Sequence, residues 1–334
     1  MLNRIFRSLN SLALSLLWVG IFFGLSGITS NRLNAEDQVV LTTLHVSPKL
    51  AQADCHLLEF PDGSKVLIDA GLGVDAPRSI IVDYFKKRQI TFLDLVIISH
   101  CHKDHYGELL HLIKSGVKVG RVIVNVPDPI FNDTETFAGG YDHRDVQTTL
   151  NFLAQQKIPT ETPTTGQRLW NGSRDGHFPA LLEVVYLYDG VHGPNGKGDV
   201  NDTSIIVRLS YGKTRVLFTG DLNYKLGKYL ADNSNIYDLR ADILKVPHHG
   251  AEGLAPNEFF DKVAPKVAIV SAPKTLWFSL RDKRARDYLN HLKAKTYVSG
   301  LDNDIIVTIF KKYYTVKTTS SKPQVKQEPK VATP

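Results

Sequence analysis

Ser99-His100-Cys101-His102-Lys103-Asp104-His105 gathers three histidines and one aspartate within six positions. Imidazole and carboxylate together are donors for zinc and for harder divalent ions. In an extended segment His100 and His102 point the same way because side chains alternate. The turn after them presents Asp104 and His105 in a second direction. Two nitrogens on one side, with an oxygen and a nitrogen on the other, are what two adjacent divalent ions need, and such a pair activates water for hydrolysis.

The elements that must position these groups are legible around them. Leu95-Val96-Ile97-Ile98 is an apolar, β-branched run that reads as a buried strand. Residues 106–115 carry apolar positions at helical spacing and stop at Gly116. The imidazoles therefore belong on the loop at a strand's C-terminal end. Upstream, 39–46, 55–60 and 65–68 read as strands, and Pro61-Asp62-Gly63-Ser64 predicts a hairpin turn between the last two. Asp69 ends the third strand, either as a buried carboxylate orienting the histidine loop or as a plain turn cap. A helix is expected over 78–88, with Ile80, Ile81, Tyr84 and Phe85 on one face.

Further along, the pattern predicts strands at 119–124, 181–188, 204–209, 214–218, 242–246, 266–271 and 304–310. Helices are expected over 145–156 and 281–292. Residues 126–142, rich in Pro, Asp, Asn and Gly and carrying Phe131, Phe137 and Tyr141, form either a cleft-lining loop or a solvent-exposed insertion.

His100-x-His102-x-Asp104-His105 resembles the signature of the metallo-β-lactamase-fold hydrolases, and that family's other motifs occur in order. Leu67-Ile68-Asp69-Ala70-Gly71 resembles its upstream Asp-x-Gly turn, Leu217-Phe218-Thr219-Gly220-Asp221 its bridging-aspartate strand, and Val246-Pro247-His248-His249-Gly250 its last histidine motif. Together with Gln52-Ala53-Asp54 and Asn201-Asp202-Thr203-Ser204, these are most similar to the hydrolase domain of DNA-uptake competence proteins and to phosphorylcholine esterases. The resemblance spans about residues 38–310. It implies an α/β, four-layer αββα sandwich, two sheets face to face with helices outside.

It also implies a site. His100, His102 and Asp221 would take one ion, and Asp104, His105, Asp221 and His249 the other. Asp104 would help hold the nucleophile. His248 would stand behind His249 or face the substrate as a proton donor, with an exchange of the two histidines' roles left open. Two ions at about 3.5–4 Å lower the pKa of a bridging water from about 15.7 toward 7, giving a metal-bridged hydroxide. Zinc suits the imidazoles best, and manganese or iron also accept mixed His/carboxylate shells. Two departures stand out. Asn201 and Asp202 replace the third-motif histidine, leaving the first ion three protein ligands unless His192 or solvent completes the shell. Lys274-Thr275-Leu276-Trp277 replaces a His-Pro pair.

The formal charge of +6 belongs to the ends: residues 1–35 carry +3, 311–334 carry +5, and 36–310 carry −2. A long nucleic-acid track across the body is therefore disfavoured. Arg4 and Arg7 precede an apolar run, so 1–35 reads as an export signal, or, uncleaved, as an anchor crossing the membrane through residues 9–28. The hydrolase domain would span 36–314, outside the cytoplasm, followed by a disordered Lys/Pro-rich tail over 315–334. Cys55 and Cys101 are expected as buried thiols, Cys101 turned away from the ions. No Gly-rich cofactor motif is present. The expected activity is cleavage of a small-molecule or polymeric phosphodiester, nucleic acid included. The alternatives are a lactone, thioester or β-lactam hydrolase, or a non-catalytic binding module stabilised by its metals.

Overall fold

The apolar runs pair into two sheets whose inner faces meet. The structure, a computed structural model, describes residues 37–47, 51–73, 79–127, 140–173, 179–188 and 199–320. The chain divides after Asp37, and both sheets belong to the unit that begins at Gln38. Among the described residues the first sheet runs Tyr314–Thr318, Ile305–Ile309, Val39–Thr43, His56–Glu59, Lys65–Ile68, Leu95–Ile98, Val122–Val124, Thr160–Glu161. The second runs Lys295–Val298, Val267–Val270, Ile243–Lys245, Thr214–Phe218, Ile206–Tyr211, Leu181–Tyr186, Arg168–Asn171.

Alternation explains the layers. Val66, Ile68, Leu95 and Ile97 face Val207, Leu209, Val216 and Ile243 in the core between the sheets. Their neighbours Leu67, Val96 and Ile98 face outward, under the helices Ile80–Lys87, Leu109–Lys114 and His143–Gln155. Leu217, Leu244 and Ala268 do the same on the other side, under Tyr224–Asp232, Asn257–Val263 and Lys283–His291. Strands buried on both faces read as continuous apolar runs, which is why Leu95–Ile98 carries no polar residue. The result is the four-layer αββα sandwich the motifs imply.

Lys65–Ile68, Leu95–Ile98 and Val122–Val124 are parallel, and so are Thr214–Phe218, Ile243–Lys245 and Val267–Val270. Parallel pairing brings their C-terminal ends to one edge, where side chains converge without disturbing a ladder.

The structure departs from the sequence reading in several places, among them the helices Tyr224–Asp232 and Asn257–Val263, which the sequence reading did not expect. The helix expected over 106–115 breaks at Gly107 into Lys103–Tyr106 and Leu109–Lys114. Gly107 lies so close to the Asp69–Gly73 turn that a Cβ would sit 2.1 Å from the Leu72 carbonyl oxygen. Ile80 is 53% exposed, while Ile81, Val82 and Phe85 form the buried face. Arg168–Asn171 and Lys295–Val298 are strands that weak alternation hid. Tyr314–Thr318, whose residues 315–318 were assigned to the tail, is an edge strand paired antiparallel with Ile305–Ile309; its half-buried alternation is stabilised by that pairing rather than by its own apolarity. The expected leader or anchor over 1–35, most of the 126–142 loop with Phe131 and Phe137, and the tail beyond Ser320 lie outside the described residues. Among those described, no helix is long and apolar enough to cross a membrane.

Candidate metal centre

Asp69 ends Lys65–Ile68 with φ 61°, a left-handed conformation unfavourable for a non-glycine residue. That bend turns its carboxylate toward the end of the neighbouring strand. There it accepts hydrogen bonds from the Ser99 amide (2.7 Å), from Ser99 Oγ (2.8 Å) and from His105 Nδ1 (2.7 Å). Asp69 is thus the buried carboxylate that orients the histidine loop. An ionised carboxylate only accepts, so the Nδ1 proton stays on His105 and its Nε2 lone pair points the other way.

The last histidine motif has a matching device. Pro247 lies just beyond Ile243–Lys245, and His248 and His249 both take positive φ, 48° and 54°. Two left-handed residues in succession cost about 1–3 kcal/mol each and persist where surrounding contacts over-determine them. The bend carries His249 inward, its Nδ1 donating to the Ser271 carbonyl (3.1 Å) at the end of Val267–Val270. Its Nε2 is thereby also left as the available nitrogen.

Both Nε2 atoms meet the same carboxylates. Asp221 Oδ2 lies 3.3 Å from His105 Nε2 and 3.1 Å from His249 Nε2. Asp104 approaches them at 3.7 Å and 3.4 Å. A tetrahedral ion with bonds of about 2.0–2.1 Å needs donors about 3.3–3.4 Å apart, and these separations bracket that value. Both Nε2 atoms are buried and have no hydrogen-bond partner among the described residues. Orphaned polar atoms in a dry interior are costly, so their presence argues for an ion. The donor set fits a divalent metal.

The electrostatics agree. Burial alone would raise the Asp221 pKa, yet the charges of His249, His105 and Lys245 outweigh it and hold the carboxyl well below its usual range. Burial opposes charge on His249, but Asp221 and Asp54 raise its pKa to about 9. His105 is likewise raised well above the ordinary imidazole value against burial, by Asp221, Asp69 and Asp104. Protons here occupy a place that suits a cation.

His100 and His102 do point the same way, with His100 Nε2 3.0 Å from His102 Nδ1 and the His100 ring 4.1 Å from that of His105. Burial, then His105 and His102, lower the His100 pKa well below the usual value, keeping that ring neutral. His248 stands outside the convergence, its ring centre 6.4 Å from that of His249. The turn Val200–Thr203, where a third-motif histidine was expected, is buried, and Asn201 Oδ1 and Asp202 Oδ1 have no hydrogen-bond partner among the described residues. His192 lies outside the described residues. Trp277, in place of the His-Pro pair, is buried behind Gly250. Cys55 and Cys101 are both buried thiols; burial raises the Cys101 pKa to about 12.

Two residues at the site escaped the sequence reading as chemistry. Asp54, His105, Asp221 and His249 each offer a donor atom within 4.8 Å of the others. Asp54, however, lies on the Nδ1 side of the imidazoles, 3.6 Å from His249 Nδ1, and its Oδ2 is 2.5 Å from Lys245 Nζ. The available signal was a lysine and an aspartate inside apolar strand-end sequences, Ile243-Leu244-Lys245-Val246 and Ala53-Asp54-Cys55.

Known proteins resemble this chain in sequence and in fold. The chain is 25% identical over 200 residues to ComE operon protein 3 of Bacillus subtilis (strain 168), covering 59% of this chain and 22% of that one. It is 28% identical over 142 residues to competence protein ComA of Neisseria gonorrhoeae, covering 39% and 19%. The chain thus spans about a fifth of the length of these curated relatives. CmlA, a diiron β-hydroxylase from Streptomyces venezuelae, superposes with TM-score 0.50 at 14% identity, over 83% of this chain and 55% of that one, a likeness of fold. Residues 49–273 match the model of the metallo-beta-lactamase superfamily. The chain belongs to that superfamily, whose members are generally metal-dependent hydrolases.

Proposed function

We propose that this protein is an exported, binuclear metal-dependent phosphodiester hydrolase. The observation that carries the reading is the convergence of Asp104, His105, Asp221 and His249, at 3.1–3.7 Å, with neither Nε2 atom having a hydrogen-bond partner among the described residues. These four would hold one ion, and His100, His102 and Asp221 the second, with zinc preferred and manganese or iron accepted. Bound there, the ions supply a hydroxide nucleophile at neutral pH and positive charge for the oxyanion that forms.

The chain's own residues do the rest. Asp69 and the Ser271 carbonyl fix the tautomers of His105 and His249, so each presents a lone pair without rearrangement. Asp104 is 7% exposed, more than Asp54, Asp69 or Asp221, so it reaches the solvent side and can accept the proton of the attacking water. His248, equally exposed and beyond the convergence, would protonate a leaving oxygen.

The diester assignment rests on the motif likeness to competence proteins, whose curated members are the relatives found. The body charge of −2 favours short or flexible diesters over long duplexes. Export, and membrane attachment through residues 9–28, rest on the leader-like sequence. The test uses the full chain loaded with zinc or manganese, offered bis(p-nitrophenyl) phosphate, single-stranded DNA, a lactone and nitrocefin. Cleavage of the diesters, stopped by EDTA and restored by metal, is expected. Loaded protein that leaves both diesters intact overturns the proposal, and turnover of the lactone or nitrocefin then identifies the alternative.

A further inference from the structure

Among the described residues Lys245 is the only lysine or arginine that is buried. Alternation along Ile243–Lys245 puts Ile243 between the sheets and Leu244 under the outer helices, so Lys245 turns inward again, where its neighbours are apolar. Its ammonium reaches the metal-binding edge and meets three oxygens: the Gly220 carbonyl at 2.8 Å, Asp221 Oδ1 at 3.1 Å and Asp54 Oδ2 at 2.5 Å. The first two are hydrogen bonds, and the third is a close ion pair.

Asp54 is itself held from behind. Its Oδ1 is 3.3 Å from His56 Nε2, and His56 Nδ1 is 2.8 Å from Thr43 Oγ1. A continuous polar chain therefore runs from Thr43 through His56, Asp54 and Lys245 to Asp221, inside a core that would otherwise be dry. Charges are buried this way only when they are paired, and Asp54 and Asp221 both stand at ion-pair distance from the Lys245 ammonium. The chain has a consequence at the metal edge. Asp221 Oδ1 is taken by Lys245, and Oδ2 is the oxygen that faces His105 Nε2 and His249 Nε2. Asp54, close enough to be a donor, is occupied by the same ammonium.

We infer that Lys245, paired with Asp54, is a positioning residue that holds Asp221 as a single-oxygen donor to the metal centre. The inference rests on the metal-centre reading and adds how the shared carboxylate is aimed. Without the ammonium, Asp221 could turn both oxygens to one ion and Asp54 could compete as a ligand.

The test compares full-length wild type with Lys245→Met/Asp54→Asn, which removes both charges and leaves no buried ion unpaired. The probe is cobalt(II) alone, read by its visible absorption bands and by affinity in competition with a chelator, alongside melting of the metal-free proteins. Outer partners of metal ligands are worth about 10–100-fold in affinity, and a loss of that size with altered cobalt bands is expected. Lys245→Arg, which keeps the charge but misplaces its donors, should alter the bands as well. Bands and affinity unchanged in the two variants overturn the inference, even where the metal-free protein melts lower, because that pattern is one of core filling. Wild type that takes up no cobalt overturns the metal-centre reading and this inference together. Loaded wild type beside unchanged variants overturns the inference alone.

Discussion

The two corners of the site are built differently. Around His105 and His249 every rear contact is made: each Nδ1 has an acceptor at 2.7 or 3.1 Å, and the shared carboxylate is gripped by a buried ammonium. Around His100 and His102 the imidazoles lie against each other at 3.0 Å, with Ser99 Oγ 3.2 Å from His100 Nδ1, and in the adjoining turn Asn201 Oδ1 and Asp202 Oδ1 have no hydrogen-bond partner among the described residues. Preorganisation lowers the cost of binding because little must be ordered at the moment the ligand arrives. The difference teaches that one ion should be held tightly by a finished corner, while the other should depend on its own arrival to order its ligands.

Truncation breaks the comparison most directly. His249→Ala removes a nitrogen that is backed by Ser271, and the expected result is loss of the tight ion with a fall in kcat/KM well beyond about 100-fold, the upper range for outer partners. His102→Ala is expected to release the weaker ion alone, leaving one equivalent after dialysis. Elemental analysis of the two variants, with kinetics on bis(p-nitrophenyl) phosphate, checks the order. Equal retention by both variants would mean the corners do not differ in the way their hydrogen bonds indicate.

Much of this was legible from residue types alone. The His100–His105 cluster after a wholly apolar strand located the loop, because a strand buried on both faces can display polar groups only at its end. Asp69 was readable as an orienting carboxylate for the same reason. Lys245 and Asp54 were harder to find. They lie 191 positions apart and meet only because Ile243–Lys245 and His56–Glu59 belong to facing sheets. No periodicity encodes that pairing. Strand Tyr314–Thr318 was hidden because its alternation is half-buried and its flanks are polar, so only its pairing with Ile305–Ile309 gives it structure.

Asp69→Asn sharpens the comparison from behind the tight corner. The amide can still accept from the Ser99 amide, but it cannot accept simultaneously, with charge, from Ser99 Oγ and His105 Nδ1. His105 loses the partner that fixes its tautomer. The expected effect is about a 10–100-fold weaker hold on metal, smaller than for His249→Ala, with the ion at the His100 corner disturbed less. Chelator competition at fixed pH measures it, and a variant that binds as wild type does would remove Asp69 from the set of orienting groups.

The smallest effect concerns the protons that the tight corner holds when metal is withdrawn. His249 in the folded protein has its pKa raised to about 9 from an ordinary 6.5, mainly by Asp221 and Asp54 acting against burial. A raised folded-state value means the folded state binds the proton more strongly than the unfolded chain does. That contribution to stability is complete below pH 6.5 and is lost as pH rises through about 9. Metal binding reverses the dependence, because the ion must displace the same proton and binds better as the proton leaves. The melting temperature of EDTA-treated protein should therefore fall between pH 6.5 and 9, while the gap between loaded and metal-free protein widens over the same interval. A gap that stays constant would show that His249 exchanges no proton when the ion binds, and the corner would then not be using its acidic surroundings to prepare that nitrogen.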